Sequence, residues 1–239
     1  MRRQKPLITA HRGLSGRYPE NTLLAFSQAL EFSPDFIETD LWRTKDGVLV
    51  CIHDENLKRT TDREGDVPDM LFEEVRQARC AEGEKVPSLQ EALDVIGGAA
   101  TLSIEIKMAD IEDQVVATVR AHPTMRLRCT IDSFNSDVVR RARSLAPELA
   151  GEWITSPGQP LEGQSAVEAV LRALQVNATV LSVAHGATTE DLVYQAHLRG
   201  LAVCAWTVND EARMLELAGM SVDRITTDRC DLAASLLRR

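Results

Sequence analysis

The chain has 239 residues, of which 44% are hydrophobic and 26% charged, enough apolar material for a substantial core. Its formal net charge of -9 argues against a nucleic-acid partner, because phosphate backbones select for lysine and arginine patches. No apolar run approaches the roughly 18 residues of a membrane span, so no stable membrane insertion is expected.

The apolar stretch Leu7–Ala10 is also shorter than a signal-peptide core of about 7–15 residues. Five cysteines, at 51, 80, 129, 204 and 230, form an odd set without a C-x-x-C pair. Such thiols usually behave as small buried apolar groups, so the expectation is a reduced, cytoplasmic protein, with a mature secreted chain as the alternative. Oligomeric state is left open, a homo-oligomer included.

In chain order, a strand over Leu7–Ala10 ends at His11-Arg12-Gly13, and Asn21 or Thr22 caps a helix whose Leu23, Phe26 and Leu30 share one face. The run F-I-E-T-D-L-W-R over Phe36–Arg43 reads as a strand. Residues i and i+2 of a strand point the same way, so Glu38 and Asp40 aim at one spot. Lys45-Asp46-Gly47 supplies hairpin chemistry, and a return strand from Val48 would place His53 opposite Thr39 and Asp40. A polar connection over 55–87 follows, with one helix expected at 71–81. Beyond it lies a helix from Ser88 to Ile96, with Glu91 at the capping-box spacing.

Strands are then expected at 101–107, 127–133, 149–155, 179–184, 201–208 and 224–227. Helices are expected at 111–121, 137–145, 166–174, 190–199, 211–218 and 232–238, with a Gly/Pro loop at 157–164. With the hairpin's return strand counted as an excursion, eight strands each precede a helix. That pattern predicts a (β/α)8 TIM barrel, a single domain over 1–239 with a small hairpin and loop insertion over about 44–87. A doubly wound sheet would announce a phosphate turn such as G-x-G-x-x-G, and none occurs.

Working residues of such a barrel sit where strands end. Glu38, Asp40 and Glu105 are three carboxylates from two neighbouring strands. Unpaired they would repel and take up protons, whereas a hard divalent cation such as Mg2+ or Ca2+ would relieve the repulsion. Arg12 offers a planar fork and Lys107 a point charge, which leaves the loaded site with one positive charge for an anion of a phosphodiester's charge. His11 and His53, both at strand ends, suit general acid/base work near neutral pH. His122, His185 and His197 read as structural, and Glu20 as a helix-start residue whose place beside Arg12 allows a supporting contact. Trp206 would pack a small alcohol or plug the barrel.

These residues fall in a pattern spread over most of the chain. It comprises His11-Arg12-Gly13, Pro19-Glu20-Asn21-Thr22, Glu38-Thr39-Asp40, Lys45-Asp46-Gly47, His53-Asp54, Arg59-Thr60-Thr61, Glu105-Ile106-Lys107, Ser133-Phe134 and Trp206-Thr207-Val208-Asn209. In this the chain resembles the glycerophosphodiester phosphodiesterases, smaller bacterial enzymes in particular. The resemblance implies metal-dependent hydrolysis of glycerophosphodiesters to sn-glycerol 3-phosphate and an alcohol, by way of a cyclic phosphate. It implies a metal at Glu38, Asp40 and Glu105, an acid/base pair of His11 and His53, and phosphate contacts from Arg12 and Lys107. The stretch Thr227-Asp228-Arg229-Cys230 departs from a usual Thr-Asp-Pro ending of that family.

Two rivals are a phospholipase D-like barrel of the sphingomyelinase D type, acting on an intact lipid, and a catalytically silent barrel that binds a phosphorylated ligand. The first calls for an apolar interfacial surface, which 4% aromatic residues do not encourage. The second would be marked by loss of a metal acid or catalytic histidine, and all are present.

Overall fold

The computed structural model describes residues 5–155 and 166–238, so the loop expected at 157–164 lies outside the described residues. The parallel strands are β1 (Leu7–Ala10), β2 (Phe36–Arg43), β4 (Thr101–Ile106), β5 (Cys129–Ser133), β6 (Ala150–Ile154), β7 (Val180–Ala184), β8 (Ala202–Trp206) and β9 (Arg224–Thr227). β3 (Leu49–Cys51) is the odd one, antiparallel to β2 with Leu41 opposite Cys51. The sheet closes because β1 pairs on both sides, Ala10 lying opposite Ile37 of β2 and Thr227 of β9. This is the expected (β/α)8 barrel with a hairpin inserted after its second stave.

The barrel is wrapped by α1 (Leu23–Leu30), α3 (Leu89–Ile96), α4 (Glu112–Ala121), α5 (Ser136–Leu145), α6 (Ala166–Gln175), α7 (Glu190–His197), α8 (Glu211–Gly219) and α9 (Cys230–Leu237), while α2 (Phe72–Gln77) belongs to the insertion. Several start on a side-chain cap: Thr22 accepts from the Ala25 N–H, and Ser88 with Glu91 forms the capping box expected from spacing. Period-two alternation sends Ile37, Leu41, Leu102, Ile104 and Ile106 outward, where all are buried in the main apolar cluster beneath the helices. Burying one such side chain is worth about 1.5–3 kcal/mol. No helix among the described residues is long and apolar enough to cross a membrane.

Gly13 shows how tightly the first loop meets α1. It has φ +80, and a Cβ there would lie 2.6 Å from the Ala25 carbonyl carbon.

The insertion differs from the polar connection expected. Leu57, Val67, Val75, Ala78, Cys80 and Val86 join Val50 and Ile52 in a second buried cluster. Its helix is shorter than 71–81, because Ala78 turns to extended backbone (ψ 140) and Cys80 forms an antiparallel bridge to Thr61. The hairpin turn is as expected: the Thr44 N–H donates to the Val48 carbonyl at 2.9 Å, and Gly47 takes φ +88.

The inward-facing positions do not follow the usual branched aliphatic filling of small barrels. Ser103, Asp132, Glu152, Ser182, Arg224 and Thr226 point inward as a buried polar floor. Above it, a cleft opens at the strands' C-terminal ends.

Candidate active site

The cleft is lined by His11, Arg12, Glu38, His53, Glu105, Lys107 and Trp206, seven of the eight residues singled out from the sequence, together with the floor residues and Phe134. Asp40, the eighth, is 0% exposed behind them.

Strand register makes the acid cluster. β2 and β4 pair with Asp40 opposite Glu105, and Glu38 lies two residues earlier on the same face of β2. One carboxylate oxygen from each of the three lies within 4.8 Å of the others. Burial and the neighbouring Asp40 charge push Glu38 well above the usual carboxylate range, and the same two causes push Glu105 up to about 7. Burial would raise Asp40 too, but Lys107 and Arg12 outweigh it and lower its pKa to about 2.

The two cations sit among these acids. Lys107 Nζ lies 2.9 Å from Asp40 Oδ1 and 2.5 Å from Glu105 Oε1, and Arg12 Nε lies 3.0 Å from Asp40 Oδ2. Arg12 takes a left-handed backbone, φ 54, and its N–H donates to Glu38 Oε2 at 2.9 Å. Glu20 accepts from Arg12 Nη1 at 3.0 Å, the supporting contact that its position beside Arg12 suggested.

These residues fit a divalent cation. Glu38 Oε1 is buried without a hydrogen-bond partner, a costly state for an anionic oxygen, and the donor set is all oxygen, the preference of a hard ion. Three carboxylates can therefore hold such an ion at the barrel mouth.

Both strand-end histidines are held at Nδ1, which leaves Nε2 as the nitrogen presented to the cleft. His11 Nδ1 lies 2.6 Å from Asp228 Oδ1, and His53 Nδ1 lies 2.5 Å from Asp54 Oδ1. His11 Nε2 is 3.9 Å from Glu38 Oε2. Burial, followed in size by an opposing pull from Asp40 and a further push from Lys107, leaves the His53 pKa below its ordinary value. The hairpin delivers His53 as expected: the Ile52 N–H donates to the Asp40 carbonyl at 3.0 Å, which continues the register towards Thr39. The other histidines pair elsewhere, His122 with Asp94 at 3.1 Å and His197 with Asp223 at 2.8 Å, while His185 opens a short 3-10 turn.

Trp206 and Phe134 meet edge to face, with centroids 5.6 Å apart, and Lys107 Nζ lies 5.9 Å from the Phe134 centroid. They form the apolar wall of an otherwise charged cleft.

Sequence reasoning missed three groups. Asn21, read as one of two caps, has φ 57 and turns inward, where its Nδ2 donates to Asp40 Oδ2 at 2.8 Å and its Oδ1 accepts from Thr39 Oγ1 at 2.7 Å. Asp54 and Asp228 were visible as neighbours of a histidine and of a strand end, and barrel closure brings Asp228 beside His11. The floor ion pair of Arg224 with Glu152, and Asp132 beside Ser103, come one from each of four strands at inward-facing positions, a signal that alternation carries.

A model of the glycerophosphoryl diester phosphodiesterase family matches residues 11–232. A glycerophosphodiester phosphodiesterase from Caldanaerobacter subterraneus is 33% identical, covering 98% of this chain and 99% of its own length. The structure of an Oleispira antarctica phosphodiesterase in complex with its product sn-glycerol-3-phosphate superposes with TM-score 0.86 at 27% identity, covering 98% of both chains. The crystal structure of a glycerophosphodiester phosphodiesterase from Agrobacterium tumefaciens gives TM-score 0.82 at 29% identity, covering 96% of this chain and 99% of that one. With the match spanning the loop of His11 through the last helix, the chain belongs to the glycerophosphoryl diester phosphodiesterase family.

Proposed function

We propose that this protein hydrolyses glycerophosphodiesters to sn-glycerol 3-phosphate and an alcohol, with Glu38, Asp40 and Glu105 holding Mg2+ or Ca2+. The observation that carries the reading is the meeting of those carboxylates with two oriented histidines in one cleft. When bound, the ion supplies Lewis-acid activation and charge neutralisation at the reacting oxygens.

The chain's own residues do the rest. Arg12 and Lys107 face the phosphate and offset the charge that grows on its oxygens. His53, which its buried setting favours as neutral, takes the proton from the glycerol 2-hydroxyl as that oxygen attacks phosphorus. His11 protonates the departing alkoxide, and Asp228 steadies the imidazolium that precedes this transfer. A cyclic phosphate results, and water opens it with the two histidines in exchanged roles. Trp206 and Phe134 pack the leaving alcohol. Five buried free thiols suit the reducing environment of a cytoplasmic enzyme.

The test is a panel of glycerophosphodiesters assayed with each metal and with chelator. Release of glycerol 3-phosphate that chelator stops is expected. No turnover of any diester with any metal would overturn the reading.

A further inference from the structure

Arg59 stands outside the cleft, in the short 3-10 turn Leu57–Arg59 of the insertion, with its side chain 46% exposed. Even so, it joins two parts of the site. Its Nη1 donates to Glu20 Oε2 at 3.0 Å and its Nη2 to Glu20 Oε1 at 2.7 Å, a bidentate grip. Its Nε donates to Asp54 Oδ2 at 2.5 Å. Glu20 in turn accepts from Arg12, and Asp54 holds His53 Nδ1. The result is an unbroken chain of alternating charge, Arg12–Glu20–Arg59–Asp54–His53.

We propose that Arg59 is a positioning residue that locks the phosphate-facing arginine and His53 into one geometry by pinning the insertion to the β1–α1 loop. The inference rests on the function proposed above.

Geometry and chemistry agree on guanidinium as the only suitable group. Two carboxylates are served from two edges of one plane, which an ammonium on a flexible stem cannot reproduce. Asp54 is held below its ordinary range first by the Arg59 hydrogen bond, so it is an anion when His53 needs one. Glu20 is lowered as well, the hydrogen bond from Arg59 and the charge of Arg12 overcoming the effect of burial. Exposed ion pairs contribute little to folding, so the stability of the fold does not explain so ordered a network. Arg59-Thr60-Thr61 also stands out in the sequence without a role in the chemistry.

The experiment compares wild type, Arg59→Ala, Arg59→Lys and Asp54→Asn. For Arg59→Ala, kcat should fall about 10- to 100-fold, as for other groups that orient a reacting residue, while the melting temperature moves by only a few degrees. Arg59→Lys should fall equally, and added guanidinium at millimolar concentration should restore part of the Arg59→Ala rate while ethylammonium does not. Arg59→Ala in the Asp54→Asn background should cost far less than it does alone.

Two kinetic results would overturn the proposal: an Arg59→Ala kcat within twofold of wild type, or full rescue by lysine. A readout free of turnover separates this from the proposed function. In labelled protein the His53 imidazole N–H should give a slowly exchanging NMR signal that is lost in both Asp54→Asn and Arg59→Ala. Its survival in Arg59→Ala refutes the positioning role. An inactive wild type that shows the expected loss refutes the function alone.

Discussion

Replacing Asp228 with asparagine removes a charge from behind His11 while keeping its bulk. In the native site Asp228 Oδ1 accepts from His11 Nδ1 at 2.6 Å and from Ser15 Oγ at 3.0 Å, and Oδ2 accepts from Asn209 Nδ2 at 2.6 Å. In the mechanism proposed above, the carboxylate sets the tautomer of His11 and steadies the imidazolium, and an amide carries no charge to do so. In a buried catalytic triad the same exchange costs about 10⁴ in kcat. Asp228 is 31% exposed, so its field is partly screened and the expected loss is about 10²–10³, or roughly 3–4 kcal/mol of transition-state stabilisation.

Stability should respond separately. Burial would raise the Asp228 pKa, but hydrogen bonds and charge from His11, with further bonds from Asn209 and Ser15, lower it from 3.8 to about 2. Linkage for that difference sets a ceiling of about 2 kcal/mol, and solvent screening reduces it to about 1 kcal/mol. Because the folded pKa is depressed, this contribution is fully present above about pH 4 and fades as pH falls towards 2. Asp228→Asn should thus be less stable than wild type at pH 7 and equal to it near pH 2. Steady-state kinetics and urea melts across pH measure both effects. A kcat within twofold of wild type would refute the orienting role of Asp228.

Glu105→Gln should weaken divalent-metal binding at least about tenfold by isothermal titration, and an unchanged affinity would remove Glu105 from the ligand set. Burial raises the Asp132 pKa from 3.8 to about 6, so wild type should lose stability, on the order of 2–3 kcal/mol at most, as pH rises from about 4 to about 6. Asp132→Asn should show a shallower slope over that range in chemical denaturation, the share of the buried Glu38 and Glu105 remaining, and an identical pH profile would contradict it. Gly13→Ala should destabilise by about 2 kcal/mol or more in thermal melts, since both φ +80 and the 2.6 Å approach to Ala25 resist a Cβ. A change below about 0.5 kcal/mol would show that the loop relaxes freely.

Local rules reached the acid cluster because a strand's period of two is strict: Glu38 and Asp40 must share a face, and the next stave must deliver Glu105 nearby. The same rule, applied to Ser103, Asp132, Glu152 and Ser182, discloses the polar floor, a departure from the branched aliphatic filling usual in small barrels. Asn21 was hidden for another reason. Its residue type fits a helix cap, and only the left-handed φ of 57 turns its amide onto Asp40 while Thr22 does the capping. The partners of the two histidines depend on closure and on side-chain rotamers, which spacing does not specify. The insertion's small core was masked by composition, since Leu57, Val67, Val75 and Val86 follow no helical or strand period. The aromatic pair of Trp206 and Phe134 joins residues 72 positions apart, and only the barrel's circumference brings them together.

The central claim concerns which phosphorus–oxygen bond breaks. Phosphorus NMR of glycerophosphocholine with the wild-type chain and Mg2+ or Ca2+ follows every phosphorus species in one tube. The account predicts that the diester signal gives way to glycerol 3-phosphate with free choline, and that chelator arrests the conversion. Appearance of phosphocholine with free glycerol would contradict it, as would a diester signal that persists with both metals.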